Sequence, residues 1–449
     1  MDNTTDIRKI PKRILGSLLN SCSAGVVPRN GLEYIAIGRN AEVAAILRDL
    51  ENIKDGMGAF RFLIGRYGSG KSFLIGLIRT NALERGYVTS DCDLSPDRRF
   101  VGRSGQGLAV YRELMRNLST KASPDHSALE SIFTKWFSDL QLEQMKSLGI
   151  SPDSPELMRA VSEKIFDVCA QLRSYVNGFE FTKVISLLYE AHKSNDEELK
   201  ADALKWMRGE FTTKSEARHS RINVSSIVDD TNWYDYIKLY AILFRLIGYN
   251  GFVVFIDECV NLYKIPNRIS RENNYEKILS MFNDTLQGKA EGLAIILGGT
   301  PQFLEDERRG LYSYDALKSR LKEGSFNKEG YRDLLSPVIR INRLSDDELF
   351  ALVVRVLNLH GQYYNWIPRV TNDNLVSFLQ LCYDRIGADS MLTPREVIRD
   401  FLNVLNILNQ NPELDFDGVV GSGAVTLKPD VEGDDEDDED DDGFFDITI

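Results

Sequence analysis

Residues 65–72 read Gly-Arg-Tyr-Gly-Ser-Gly-Lys-Ser, inside the run LIGRYGSGKSFL (63–74). The spacing G-x-x-x-x-G-K-S/T is that of a phosphate-binding loop. It constrains the fold strongly, because it works only between a buried strand and the N-terminus of a helix. Both flanks suit that context. AFRFLI (59–64) is apolar enough for a buried strand, and SFLIGLIRTNALERG (72–86) reads as a helix stopped by Gly86. In such a loop Gly65, Gly68 and Gly70 let backbone N–H groups turn inward around phosphate oxygens, and Ser69 and Phe73 belong to the same binding stretch. The helix N-terminus adds partial positive charge. Lys71 is placed to reach the β- and γ-phosphates and Ser72 to ligate Mg2+. ATP and Mg2+ are therefore the expected ligands.

A loop of this kind needs a carboxylate site elsewhere in the sheet. GFVVFIDEC (251–259) supplies one. FVVFI has the continuous apolar character of a parallel strand buried on both faces, and it ends in Asp257-Glu258. The C-terminal ends of strands are where open α/β sheets bind ligands. Asp257 is a candidate for the metal and Glu258 for the general base that activates water. A third strand, GLAIILGGTPQF (292–303), carries polar Thr300 at its tip. Arg308, Arg309 and, within YDALKSRL, Arg320 follow before a last strand, PVIRI (337–341).

This order of strands and tips resembles the core of an AAA+ ATPase. IGRNAEVAAIL (37–47), with Gly38 and Arg39, is similar to the box that lies near the adenine in the ORC/Cdc6-type clade. Thr300 falls at that family's sensor 1 position, and Ser319-Arg320 looks like its arginine finger, with Arg308 and Arg309 as other candidates. Two capping boxes, Ser345-Asp-Asp-Glu348 and Thr393-Pro394-Arg395-Glu396, open apolar-periodic helices. They suit a small helical lid, where the resemblance makes Arg395 the sensor 2 arginine. GLEYIAIGRNAE, VVFIDEC, GGTPQFLEDERRGLYSYDALKSRL and LTPREVIRDFL resemble, more closely, the BrxD-like ATP-binding proteins of bacterial phage-defence (BREX-type) islands. That resemblance covers residues 25–410.

The fold class expected is thus α/β: a P-loop AAA+ parallel-sheet core with a large helical insertion and a C-terminal helical lid. Far more chain separates Lys71 from Asp257 than a minimal core needs, and much of it has helical periodicity. The expected organisation is an N-terminal segment (1–30), a first core part (31–107), a helical insertion (108–225), a second core part (226–342), a lid (343–412) and a disordered acidic tail (413–449). Trp136, Trp206 and Trp233 are expected in core packing. The net charge of −13 is concentrated at the C-terminus, where nine consecutive acidic residues, Asp434–Asp442, precede a short apolar tip. Such a block repels itself, and it is read as a solubilising tail or a docking peptide. The rest of the chain is almost neutral, so nucleic-acid contact would be local, through basic loops such as 96–103 and 214–221. No winged-helix DNA reader is expected after the lid.

Five scattered cysteines without a CxxC pair are read as reduced thiols, and no apolar run suits a membrane span or secretory signal. A cytoplasmic protein is expected. The main functional expectation is an ATPase that remodels, loads or regulates a helicase or nuclease partner, as a homo-oligomer with its arginine finger acting in trans. The alternative is a nucleotide-gated assembly switch or scaffold with little turnover. A self-contained RecA-type helicase is disfavoured, because one P-loop core is present and no second α/β lobe.

Overall fold

The structure, a computed structural model, describes residues 10–102, 105–152, 154–322, 333–386 and 392–421. The acidic run and its apolar tip lie outside them. In chain order the elements begin with α1 (Lys12–Ser23), α2 (Asn40–Lys54), β1 (Ala59–Ile64), α3 (Lys71–Glu84), β2 (Val88–Asp93) and α4 (Gln106–Arg116). A helical stretch follows: α5 (Leu129–Leu148), α6 (Pro155–Leu172), α7 (Gly178–Ser194), α8 (Glu197–Met207), α9 (Lys214–His219) and α10 (Trp233–Leu246). Next come β3 (Phe252–Asp257), α11 (Val260–Tyr263), α12 (Arg268–Leu286), β4 (Leu293–Gly299), α13 (Pro301–Glu305), α14 (Asp315–Leu321) and β5 (Val338–Arg340). The chain continues with α15 (Asp346–Tyr364), α16 (Asn372–Ile386), α17 (Pro394–Gln410) and α18 (Phe416–Gly421).

Two compact units divide these elements: Gly38–Arg66 with Lys71–Asn342, and the described parts of Met1–Ile37, Tyr67–Gly70 and Arg343–Ile449. The larger unit is built on a five-stranded sheet of order β2-β3-β4-β1-β5, with every pair parallel. β3 and β4 are buried along their whole length, which explains their unbroken apolar runs. Alternate residues serve two cores. Leu63, Val253, Phe255, Ile296 and Ile339 pack with Ile46 and Leu50 of α2 and Leu74 and Ile78 of α3. Phe62, Val254, Ile256, Ile295 and Leu297 join the opposite cluster, which runs on without a break into the helical stretch and takes in Trp136, Trp206 and Trp233. All three tryptophans are buried. The inserted helices thus complete one face of the sheet.

Two polar features break the apolar pattern. Arg61, in the middle of β1, is buried and grips Asp49 of α2 with two hydrogen bonds, Nε to Oδ2 at 2.6 Å and Nη2 to Oδ1 at 2.8 Å. It also donates to the carbonyls of Leu335 and Ser336, so the buried charge is both paired and hydrogen-bonded. β2, VTSDCD, has no apolar run and escapes sequence reading. Ser90 Oγ donates to the Leu114 carbonyl, and the backbone of Thr89 exchanges hydrogen bonds with that of Ser119 at 3.0 and 2.8 Å on the outer edge.

The smaller unit joins chain segments far apart in sequence. α1 presents Leu15, Leu18, Leu19 and Cys22 at helical spacing and packs against α15 and α17. So α1, the described helix of the segment 1–30, packs with the C-terminal helices. Both expected capping boxes form, Ser345 with Glu348 and Thr393 with Glu396, the second with Pro394 in the first turn. His360 is buried between Asn406 and Trp366, 3.1 and 3.0 Å away. Phe416 and Val419 of α18 are buried, so regular structure extends past the boundary expected at 412; their burial against the other helices supplies the order that composition does not.

Candidate active site

All five strands run the same way, so their C-terminal ends share one edge of the sheet. β1 ends at Ile64 and α3 begins at Lys71, which leaves Gly65–Gly70 as the connecting loop. The Gly65 N–H donates to the Gly299 carbonyl at 3.1 Å, anchoring the loop's first residue to the end of β4. Gly68 and Gly70 have φ of 72° and 96°. Those angles explain why glycine stands at both positions. The Lys71 ammonium folds back over the loop and donates to the carbonyls of Gly65 (3.0 Å) and Arg66 (3.2 Å). α3 carries no acidic residue of its own in its first turn, where Ser72 and Phe73 lie, so nothing within the helix offsets its N-terminal partial charge.

The second half of the site comes from β3. Asp257 is buried; its Oδ2 accepts a 2.7 Å hydrogen bond from Ser72 Oγ, and its Oδ1 accepts the Glu258 backbone N–H at 2.9 Å. This pair joins the two motifs across most of the larger unit's sequence. Two hard oxygen donors, with no larger group of His, Cys, Asp and Glu fit to hold a metal among the described residues, suit an ion that keeps much of its shell as water and phosphate. That is the habit of Mg2+.

Glu258 has φ of 57°, the left-handed region, at a cost of about 1–2 kcal/mol for a residue with a Cβ. The turn is held by its neighbours, including Cys259, whose N–H donates to the Gly298 carbonyl at 3.0 Å. Asp93, at the end of β2, lies opposite Asp257 in register. Desolvation and the carboxylates of Asp257 and Glu258 push its pKa up to about 6. Three carboxylates, those of Asp93, Asp257 and Glu258, are thus gathered on this edge of the sheet.

Gly298 is a site residue that motif reading misses. A Cβ there would stand 2.2 Å from Asp257 Oδ1, so the carboxylate occupies the space a side chain would need. Gly298→Ala should shift Asp257 away from Ser72, weaken at least about tenfold the hold of this pair on any ligand it binds, and cost about 1–3 kcal/mol of stability through overpacking. Nucleotide titrations with and without Mg2+, beside a denaturation curve, read both effects. An alanine variant with unchanged binding would show that the carboxylate has room to spare.

Thr300 follows β4, which lies between β1 and β3. Its Oγ1 accepts the Phe303 N–H at 3.3 Å and so caps α13, with its own hydroxyl proton still available to donate. Gly38, at φ of 71°, precedes Arg39, whose buried guanidinium donates to the Asn342 carbonyl at 2.9 Å and lies 3.8 Å from Glu42. Arg39 therefore has a connecting role within the fold.

The other arginines have distinct settings. Asp306 Oδ1 accepts the backbone N–H groups of Arg308 and Arg309, and the Arg309 guanidinium lies 5.4 Å from the centre of the Tyr263 ring. Arg320, near the end of α14, is exposed and donates from Nη1 to the Ala316 carbonyl of its own helix. Within the smaller unit, Arg395 stands in the first turn of α17 with its guanidinium 5.1 Å from the centre of the Tyr67 ring.

Of the basic loops, 214–221 is largely helical, and its Arg221 pairs with Asp196 at 2.7 Å and Glu198 at 3.4 Å; Arg98 of 96–103 lies 3.6 Å from Glu113. Part of the charge in each loop is thus already matched. All five cysteines are buried and none is in a disulfide. No helix among the described residues is long and apolar enough to cross a membrane.

A family model described as BREX system ATP-binding protein BrxC/D matches residues 10–423. A comparison with curated proteins found no match.

Proposed function

The chain belongs to the BREX system ATP-binding protein BrxC/D family, and from this we propose that it is an AAA+ ATPase that hydrolyses ATP to remodel, load or regulate a DNA-acting partner in phage defence. The family supplies ATP binding and the defence system. Hydrolysis, the oligomer and the partner are our reading. The observation that carries it is the 2.7 Å bond between Ser72 of the phosphate-binding loop and Asp257 of the acidic strand end.

In this reading the N–H groups of Gly65–Phe73 face the phosphates. Lys71 exchanges its neutral carbonyl acceptors for charged β- and γ-phosphate oxygens, a stronger pairing. Ser72 and Asp257 would hold Mg2+, which when bound offsets phosphate charge. Glu258 accepts a proton from the attacking water as the water oxygen bonds to the γ-phosphorus; the bond to the ADP oxygen breaks, and ADP and phosphate leave. The Thr300 hydroxyl, already held by the Phe303 N–H, donates its proton towards that water and orients it. We assign Gly38 and Arg39 to the adenine side, Arg395 to sensing the terminal phosphate in cis, and Arg320 (with Arg308 and Arg309 as the other candidates) to a neighbouring protomer's site. The partner is a helicase or nuclease of the same defence system, with any DNA contact made through the local basic loops.

The test is ATP hydrolysis by the purified chain over a range of protein concentrations, with and without duplex and single-stranded DNA, beside a Lys71→Ala control. Turnover that rises faster than linearly and falls at least about a hundredfold in the control is the expected result, since two or more charge-assisted bonds of about 1.5–3 kcal/mol each are lost. ATP binding without turnover at any concentration would overturn the hydrolytic reading and favour a nucleotide-gated switch.

A further inference from the structure

The proposed base, Glu258, sits in a backbone conformation that it would not choose, and one side chain is built into that turn. Asn261, in α11, donates from Nδ2 to two carbonyls at once: Leu94 at 2.9 Å and Glu258 at 3.2 Å. Its backbone N–H also donates to the Glu258 carbonyl at 3.0 Å. Leu94 continues the β2–β3 ladder, its N–H donating to the Asp257 carbonyl at 3.0 Å. The Asn261 amide therefore ties together the residue after β2, the residue after β3 and the start of α11.

Three contacts restrain the backbone on either side of Glu258. Asp257 Oδ1 receives the Glu258 N–H, which fixes the residue's N-terminal side. The Cys259 N–H reaches the Gly298 carbonyl, which fixes the next residue. The Glu258 carbonyl between them receives both Asn261 groups. A left-handed residue points its Cα–Cβ bond in a different direction from an extended or helical one, so whatever holds φ at 57° also aims the carboxylate. The primary amide supplies two N–H donors from one nitrogen to two carbonyls without bringing a charge into the turn.

We propose that Asn261 is a positioning residue that locks the left-handed turn at Glu258 and thereby aims its carboxylate at the attacking water. This rests on the reading of Glu258 as the base, and it goes beyond that reading by naming what holds the base in place. A group displaced by about 1 Å loses on the order of a hundredfold in rate.

Two variants and two readouts test it on the full chain. Asn261→Ala removes the clamp. Asn261→Asp keeps the shape but turns the donor into an acceptor facing two carbonyl oxygens, so it is informative if the alanine variant folds poorly. Both should lower kcat about ten- to a hundredfold, leave the KM for ATP within about twofold, and speed amide hydrogen exchange at residues 258–261. Unchanged exchange there, or a loss expressed in KM with kcat preserved, would overturn the proposal. Exchange does not depend on turnover. If the unaltered chain binds ATP without hydrolysing it, the hydrolytic reading falls, and the exchange measurement still decides whether Asn261 holds the turn.

Discussion

Replacing Glu258 by Gln should reduce ATP turnover by about a hundred- to ten-thousandfold and leave nucleotide affinity within a few-fold of the original. General-base catalysis is worth that range in rate. Glutamine keeps the size of the original residue and meets the same left-handed backbone cost, and its own backbone N–H still reaches Asp257 Oδ1. The phosphate-side contacts, Lys71 on its loop and Ser72 on Asp257, do not pass through this side chain. The split between binding and turnover is therefore the diagnostic. It also separates the two functional readings. A remodelling ATPase carrying this change binds ATP, stalls and loses its defence function. A switch that acts by binding keeps its function or becomes fixed in the bound state. Turnover that survives the change would move the base elsewhere, and Asp93 is the carboxylate to replace next, since it lies opposite Asp257 on the adjacent strand.

What was legible in the chain follows from where the physics is local. The strand AFRFLI is bounded in the structure at the residues read from sequence, because burial on both faces demands apolar residues at every position but Arg61, whose charge Asp49 pairs. The capping boxes at Ser345 and Thr393 are legible because four consecutive residues contain the whole interaction. The loop and the acidic strand end are legible as motifs, and the sheet order then brings Ser72 and Asp257 together. What stayed hidden depends on contacts between distant segments. β2 tolerates Ser90 because its hydroxyl finds the Leu114 carbonyl, which no local pattern announces. Gly298 looks like any small residue at a strand end until Asp257 is seen to fill its side-chain space. Asn261 reads as an ordinary helix-start polar residue, and only the approach of Leu94 from β2 gives its amide a second carbonyl. The periodicity of α1 was visible in principle: Leu15, Leu18, Leu19 and Cys22 share a face. Its partners, α15 and α17, lie at the other end of the chain, so the sequence alone did not say what that face would meet.

The largest effect is expected from the arginine proposed to act between protomers. Arg320→Ala should lower turnover about a thousandfold or more, within the range attributed to arginine fingers, while ATP binding is retained. We propose Arg320 as the finger because of its Ser-Arg position near the end of α14; all three arginines are exposed, Arg309 with its guanidinium over the Tyr263 ring and Arg320 donating to the Ala316 carbonyl of its own helix. Exchanging one backbone carbonyl for phosphate oxygens is a favourable trade for a guanidinium. A mixing experiment makes the case for action in trans. Chains carrying Arg320→Ala keep an intact site but offer no finger; chains carrying Lys71→Ala have a crippled site but still offer one. Neither should turn over alone. Mixed, they should recover a fraction of the original rate that rises with total protein concentration, because only a mixed assembly places an intact Arg320 beside an intact phosphate loop. A mixture no more active than its parts, while the unaltered chain turns over in proportion to its concentration, would mean that each protomer works alone. Recovery with Arg308→Ala chains in place of Arg320→Ala would instead move the finger to the Asp306 turn, whose rigid backbone would then explain how that arginine is aimed.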